Sequence, residues 1–137
     1  MTPTQYLLDT DTLIFLYKQN AGVVSKVQQI GTSIIALSVI TVAEVLHGAY
    51  FSAKPQETLQ ATQNLISQFS VIDLALAIAD KFGSIKADLR RQGQIIADFD
   101  LLIAATALAS GRILVSNNTK HFQRLTAMGL LLENWKS

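Results

Sequence analysis

The sequence predicts an α/β fold: one domain, residues 1–137, with a central parallel sheet of four to five short strands flanked by helices in three α/β/α layers. Two observations carry this expectation. Short apolar runs alternate along the chain with longer stretches of helical periodicity, and alternating strands and helices imply right-handed crossovers and a parallel sheet. The strand-like runs are also continuously apolar rather than alternating, as expected of strands covered on both faces. No repeat, low-complexity tract or Pro/Gly/Ser-rich linker divides the 137 residues. A chain of this length buries roughly two-thirds of its unfolded surface.

The elements follow in order. "QYLLD" (5–9) reads as a buried strand, and "TDTLIFLYKQ" places Leu13, Leu16 and Tyr17 at the spacing of a helix face. "SIIALS" (33–38) is a β-branched strand, followed by a helix from Val39 to Phe51. Pro55 opens a helix reaching to about Gln68. "FSVID" forms a third strand, and a long amphipathic helix from Ala75 to Gln92 is stopped by Gly93. "DFDLLIAATALASG" is helical with Gly111 as its C-cap, "ILVS" (113–116) is the fourth strand, and "GLLLEN" adds a short fifth.

Composition narrows the function classes. The residues are 50% hydrophobic and 15% charged, which excludes a disordered chain and points to a large core or an apolar surface awaiting a partner. A net charge of +1 gives no global basic field, so any nucleic-acid contact is local. The absence of cysteine removes disulfides, thiolate metal sites and cysteine nucleophiles, and agrees with a reducing cytoplasm. "MTPTQYLLD" has no basic segment of the signal-peptide kind, and "LLIAATALA" is too short to cross a bilayer, so a soluble, membrane-free protein is expected.

In parallel α/β sheets, sites collect at the carboxyl ends of strands. Asp9 falls there after the first strand, and Ser116, Asn117 and Asn118 after the fourth. Glu44 lies among apolar neighbours in "SVITVAEVLHGA", and Asp100 opens an otherwise apolar helix. Each acid has an ordinary reading. Asp9 or Thr10 can cap the next helix, Asp98 is an N-cap candidate, and Asp100 suits the helix dipole. Taken together they suggest converging carboxylates, which repel unless a divalent cation sits among them. Oxygen donors select a hard ion, Mg²⁺ or Mn²⁺, suited to phosphoester hydrolysis by activated water. Thr10, Thr12, Ser38, Thr41 and Ser116 are hydroxyls placed to orient such carboxylates, Ser116 foremost.

These motifs resemble the PIN-domain ribonucleases, and among them the VapC-type toxins of prokaryotic toxin–antitoxin pairs. "YLLDTDTLI" is similar to the family's opening strand and first acid, "LSVITVAEVLHGA" to its second motif, and "IADFDLLIAATALASGRILVSNNTKHF" to its third and fourth combined. The resemblance implies Asp9, Glu44, Asp100 and Asn118 as the catalytic set. It makes Asp9, Glu44 and Asp100 the metal ligands, with Asp98 as a further ligand or a cap. The fourth position, often Asp in the family, is Asn here. The resemblance further implies a Mg²⁺- or Mn²⁺-dependent endoribonuclease, a cognate VapB-type antitoxin that covers the site, and a homodimer. Operator DNA would be reached only through the antitoxin.

Rival readings make different use of the same residues. "LLDTDTLI" also fits the first motif of haloacid-dehalogenase-like phosphatases, with Asp9 as nucleophile and Asp11 as general acid. The acids at 98 and 100 precede Ser116, against that family's order. A receiver-like domain, using Asp73, leaves Glu44 and Asp100 unexplained, and an inactive PIN-like binding module is the third alternative. His47, one turn from Glu44, reads as partly exposed, and His121 as exposed, so cleavage is expected to depend on metal rather than histidine. For RNA, Lys81, Lys86, Arg90 and Arg91 on the long helix, and Arg112, Lys120 and Arg124 around the Asn118 loop, suggest a phosphate-tracking rim. A charged stripe is equally the solvated face of an amphipathic helix.

Overall fold

The computed structural model describes residues 3–137; Met1 and Thr2, which open the N-terminal stretch read above, lie outside them. The elements are β1 (Tyr6–Leu8), α1 (Thr10–Tyr17), α2 (Ala21–Ile30), β2 (Ile35–Ser38), α3 (Val39–Tyr50), α4 (Pro55–Ile66), β3 (Ser70–Ile72), α5 (Leu76–Arg91), α6 (Asp98–Ser110), β4 (Ile113–Val115), α7 (Thr119–Phe122) and β5 (Leu132–Glu133). The five strands form one sheet in the order β3-β2-β1-β4-β5, every pairing parallel.

Strand alternation divides the core in two. Leu7, Ala36 and Leu114 face one cluster, closed by Ile85 and Leu89 of α5, Leu101 and Ala104 of α6, and Phe122. Leu8, Ile35, Leu37 and Val115 face the other, closed by Leu13 and Leu16 of α1, Val23 and Val27 of α2, and Trp135. Successive residues of a strand point to opposite faces, so a continuous apolar run is what a sheet covered on both sides requires. The three-layer expectation is met.

Two helices, α2 and α7, were not anticipated. α2 starts at Asn20, whose Oδ1 accepts from the Val23 N–H at 3.3 Å, and ends at Gly31, where φ is +87°. "FSVID" forms a strand as read, β3, which lies at the sheet edge with Ser70 and Val71 exposed. Its apolar residues are divided between Phe69, buried in the second cluster, and Ile72, packed on the first.

β1 is the middle strand, with β2 and β3 on one side and β4 and β5 on the other. The chain therefore reverses its direction of travel across the sheet between β3 and β4, and the carboxyl ends of β1 and β4 flank the crevice this creates. Leu114 is fully buried where both halves meet. Leu114→Ala should lower unfolding free energy by about 2–5 kcal/mol, read from a urea melt; a change within experimental error would show that this half of the core collapses around the gap.

Candidate metal-dependent nuclease site

Asp9 is the first residue past β1. Its backbone N–H donates to the Val115 carbonyl at 3.0 Å, continuing the β1–β4 ladder by one rung. Its Oδ1 accepts from the Thr12 N–H at 2.8 Å and so caps α1. The capping role and a place in the site therefore coexist in one side chain. The residue is 5% exposed. Burial pushes its carboxyl above the ordinary value of 3.8, against hydrogen bonds from Ser116 and Thr12 that lower it, while the Asp11 charge adds to the rise. Asp11 itself is exposed in the first turn of α1, which leaves no buried Asp9–Asp11 pair of the phosphatase kind.

Around Asp9 the predicted hydroxyls take distinct places. Thr12 Oγ1 donates to the Val115 carbonyl at 3.0 Å, locking α1 to β4. Thr10 Oγ1 donates to Glu44 Oε1 at 2.6 Å and lies 3.1 Å from Thr41 Oγ1, which ties Glu44 of α3 to the residue beside Asp9. Ser116 is fully buried, and its Oγ accepts from the Asn118 N–H at 2.9 Å, shaping the turn after β4. Ser38 stands apart, because its Oγ accepts from the Ile40 N–H at 3.1 Å and serves as the cap of α3.

Asp100 reaches the same region through the turn after β4. His121 Nε2 lies 3.2 Å from Asp100 Oδ2. The contacts thus run from Asp9 to Ser116, on to Asn118, along one turn of α7 to His121, and across to Asp100. His121 is half-buried by this contact, which corrects its reading as an exposed residue. His47 is exposed and stacks on Phe51 with ring centroids 6.0 Å apart, outside the contacts of the carboxylates.

Three further expectations are corrected. Asp9, Glu44 and Asp100 do not form one closed ligand cluster: among the described residues, no group of three or more His, Asp or Glu side chains stands close enough to hold an ion as placed. Each carboxylate is drawn instead to its own partner, Asp9 to the α1 N-terminus, Glu44 to Thr10 and Asp100 to His121. Asp98 is not the N-cap of α6. Ala97 occupies the N-cap position of α6, and Asp98 pairs with Lys86 at 2.7 Å, both side chains well exposed. Arg112 does not flank the Asn118 loop. It precedes β4 at the amino ends of the strands, where Nη1 donates to the Tyr6 carbonyl at 3.1 Å and to the Ile34 carbonyl at 3.4 Å.

The remaining cations are divided by place. Lys86 and Arg90 line a hollow of ≈ 250 Å³ with Gln94, Ile95 and Ile96. Arg91 pairs with Asp88 at 2.9 Å, Arg124 turns to His121, and Lys120 is exposed beside Asn118.

The donor chemistry suits a hard divalent cation. Among the described residues Asp9, Glu44 and Asp100 supply oxygens without forming an ion pair with a lysine or arginine, and burial raises the Asp9 carboxyl despite the hydrogen bonds it accepts. A folded carboxyl that holds its proton more tightly than the unfolded one makes stability fall as pH rises from 3.8 through the raised folded value, then level off. Asp9→Asn keeps the cap and removes that loss. In chelator at pH 7 the variant should melt above wild type, and the gap should close as pH falls toward 3.8. Added Mn²⁺ should raise the melting temperature of wild type alone. A variant that is less stable at pH 7 would show that burial of this charge is already compensated.

Comparison with known proteins identifies the family. The PIN domain family model matches residues 6–127. The chain is 37% identical over 132 residues to a Haemophilus influenzae protein named ribonuclease VapC2, covering 96% of this chain and 98% of that one. It is 34% identical over 131 residues, with 96% and 98% covered, to the tRNA(fMet)-specific endonuclease VapC of Shigella flexneri. Among solved structures, the DNA-bound VapBC of Salmonella typhimurium superposes with a TM-score of 0.90 at 31% identity, over 97% of this chain and 99% of that one. The promoter-bound VapBC2 of Rickettsia felis gives 0.87 at 30% identity, over 97% and 100%. A buried acid past the central strand, Asp100 in the first turn of α6, Glu44 within α3, and this likeness over almost the full length place the chain in the PIN-domain family of ribonucleases, in its VapC branch.

Proposed function

We propose that the protein is an endoribonuclease that hydrolyses RNA phosphodiesters with Mg²⁺ or Mn²⁺, and that it is the toxin of a pair with a VapB-type antitoxin. Divalent-metal dependence is general among PIN-domain nucleases. The observation that carries the reading is the buried, under-compensated Asp9 at the carboxyl end of β1, linked through Ser116, Asn118 and His121 to Asp100.

Asp9 and Asp100 would hold the ion, with Glu44 and the Asn118 amide at its margin. When bound, the ion supplies polarisation of a phosphoryl oxygen and lowers the pKa of an attacking water. The Thr12 N–H and the Ser116 hydroxyl hold the Asp9 carboxylate in one orientation and offset part of the cost of its burial. Thr10 holds Glu44 from the side of α1, leaving its second oxygen to accept a proton from water or to orient it. Asn118, neutral where a carboxylate would repel the substrate, is exposed beside Lys120 on the path of an incoming phosphate. Among the described residues Lys81, Arg90 and Lys120 are exposed and form no ion pair with an acid, so they are the cations of the rim most open to RNA.

A partner that covers this site has a place to lie. An apolar groove of ≈ 180 Å³ between α1, α3 and α4 is lined by Leu13, Ile14, Tyr17 and Val45 and reaches Glu44. An antitoxin segment in that groove would block Glu44, and contact with operator DNA would come through the antitoxin. Tyr50, Phe51 and Leu76 are exposed apolar side chains suited to a homodimer contact. A cytoplasmic location fits the absence, among the described residues, of a helix long and apolar enough to cross a membrane.

Purified protein given structured RNA and Mn²⁺ should cleave it, and chelator should abolish cleavage. Asp100→Asn should lose more than the roughly 10–100-fold typical of groups outside the ligand shell, whereas Ser116→Ala should lose about that much with an unchanged thermal melt. Full activity in excess chelator, or in Asp100→Asn, would sink the proposal.

A further inference from the structure

His121 has one ring nitrogen shut away from solvent without a hydrogen bond. Its Nε2 lies 3.2 Å from Asp100 Oδ2 but out of alignment for donation, and among the described residues no other acceptor satisfies it. On the opposite side of the ring, Arg124 Nη2 lies 3.5 Å from Nδ1, and Arg124 Nε donates to the His121 carbonyl at 3.4 Å, so the guanidinium is anchored against this residue. The Phe122 ring meets the imidazole edge-on, with centroids 5.0 Å apart.

A guanidinium offers only donors, so the nitrogen facing it must present its lone pair. The proton of a neutral imidazole is then on Nε2, the atom facing Asp100. A buried N–H is seldom left without an acceptor, and a small turn of the Asp100 carboxylate supplies one. Asn118 and His121 are three residues apart across the single turn of α7, so one loop carries both toward the acids.

We propose that Arg124 holds His121 in the Nε2–H tautomer, and that His121 is a positioning residue for Asp100, donating to Oδ2 and leaving Oδ1 to the metal ion. The inference rests on the reading of Asp100 as a ligand. A neutral donor orients the carboxylate without cancelling its charge, as a lysine in the same place would. Carboxylate ligands are themselves held by hydrogen bonds, and losing such a bond costs about 10–100-fold in metal affinity.

The test is Mn²⁺ affinity, by calorimetry and electron paramagnetic resonance, for the wild type and for His121→Ala, His121→Gln, Arg124→Met and Asp100→Asn, each checked for a native melt. His121→Ala should bind about 10–100-fold more weakly. His121→Gln, whose amide N–H can reach Oδ2, should recover most of that loss. Arg124→Met should move the ring ¹⁵N signals of His121 toward the Nδ1–H tautomer and weaken Mn²⁺ in the same direction, without touching His121 itself. Equal affinity in wild type and His121→Ala, with a loss in Asp100→Asn, overturns the positioning role and spares the metal site. Wild-type affinity in Asp100→Asn overturns both. Direct ring-nitrogen coupling to Mn²⁺, or a doubly protonated ring in the wild type, would replace positioning by ligation or by an ion pair and so overturn it as well.

Discussion

Burial of β1 on both faces and along both edges is the constraint from which the site follows. Leu7 and Leu8 are fully buried on opposite sides of the sheet, and the strand is paired to β2 and β4 over its length. A strand with no free edge can release the chain only at its ends, and the first residue released at the carboxyl end is Asp9. Its polarity is therefore trapped among groups it did not choose: the N-terminus of α1, the Ser116 hydroxyl and the Val115 carbonyl, which accepts both the Asp9 N–H and the Thr12 hydroxyl. The cap hydrogen bond and the helix dipole offset part of the desolvation but leave the carboxyl above its ordinary value.

The other two acids are treated differently, and the contrast separates their chemistry. Glu44 is only half-buried and rests on a neutral hydroxyl at 2.6 Å. Asp100 rests against an imidazole whose far side carries a guanidinium. Among the described residues only Asp98, on the exposed side of the same helix start, has a lysine as direct partner. Cationic compensation is thus given to the acid outside the site and withheld from the three associated with it. Carboxylates left without a cationic partner keep their oxygens available to a divalent cation, whereas a protein ion pair would consume them.

Much of this was legible in the chain because period and placement carry it. Continuous apolar strands and helices of 3.6-residue period are local patterns, so the sheet, α3 to α6 and the Gly111 cap could be read directly, and with them the position of Asp9 after β1 and of Ser116 after β4. α2 escaped although its caps are standard signals: "AGVVSKVQQI" is bounded by Asn20 and Gly31, and only Val23 and Val27 are buried, on a face too narrow to stand out. Arg112 was misplaced because nearness in sequence was taken for nearness in space. A three-residue strand lies between it and Ser116, about 10 Å of extended chain that puts the two at opposite ends of β4.

By itself the sequence determined which residues lie at strand carboxyl ends and which acids sit in apolar surroundings, because both depend on neighbours a few positions away. The tertiary structure decided what each acid touches. Thr10 meets Glu44 only because α1 packs on α3, Asp98 is diverted to Lys86 because α5 lies beside α6, and His121 reaches Asp100 only because α7 turns back from β4 across the start of α6. Those partners are 34, 12 and 21 residues apart: the first two separations are those of the hydrogen bonds, and the third is 121 − 100. No local pattern reports a contact at such range, since it depends on how helices are oriented once both faces of the sheet are covered.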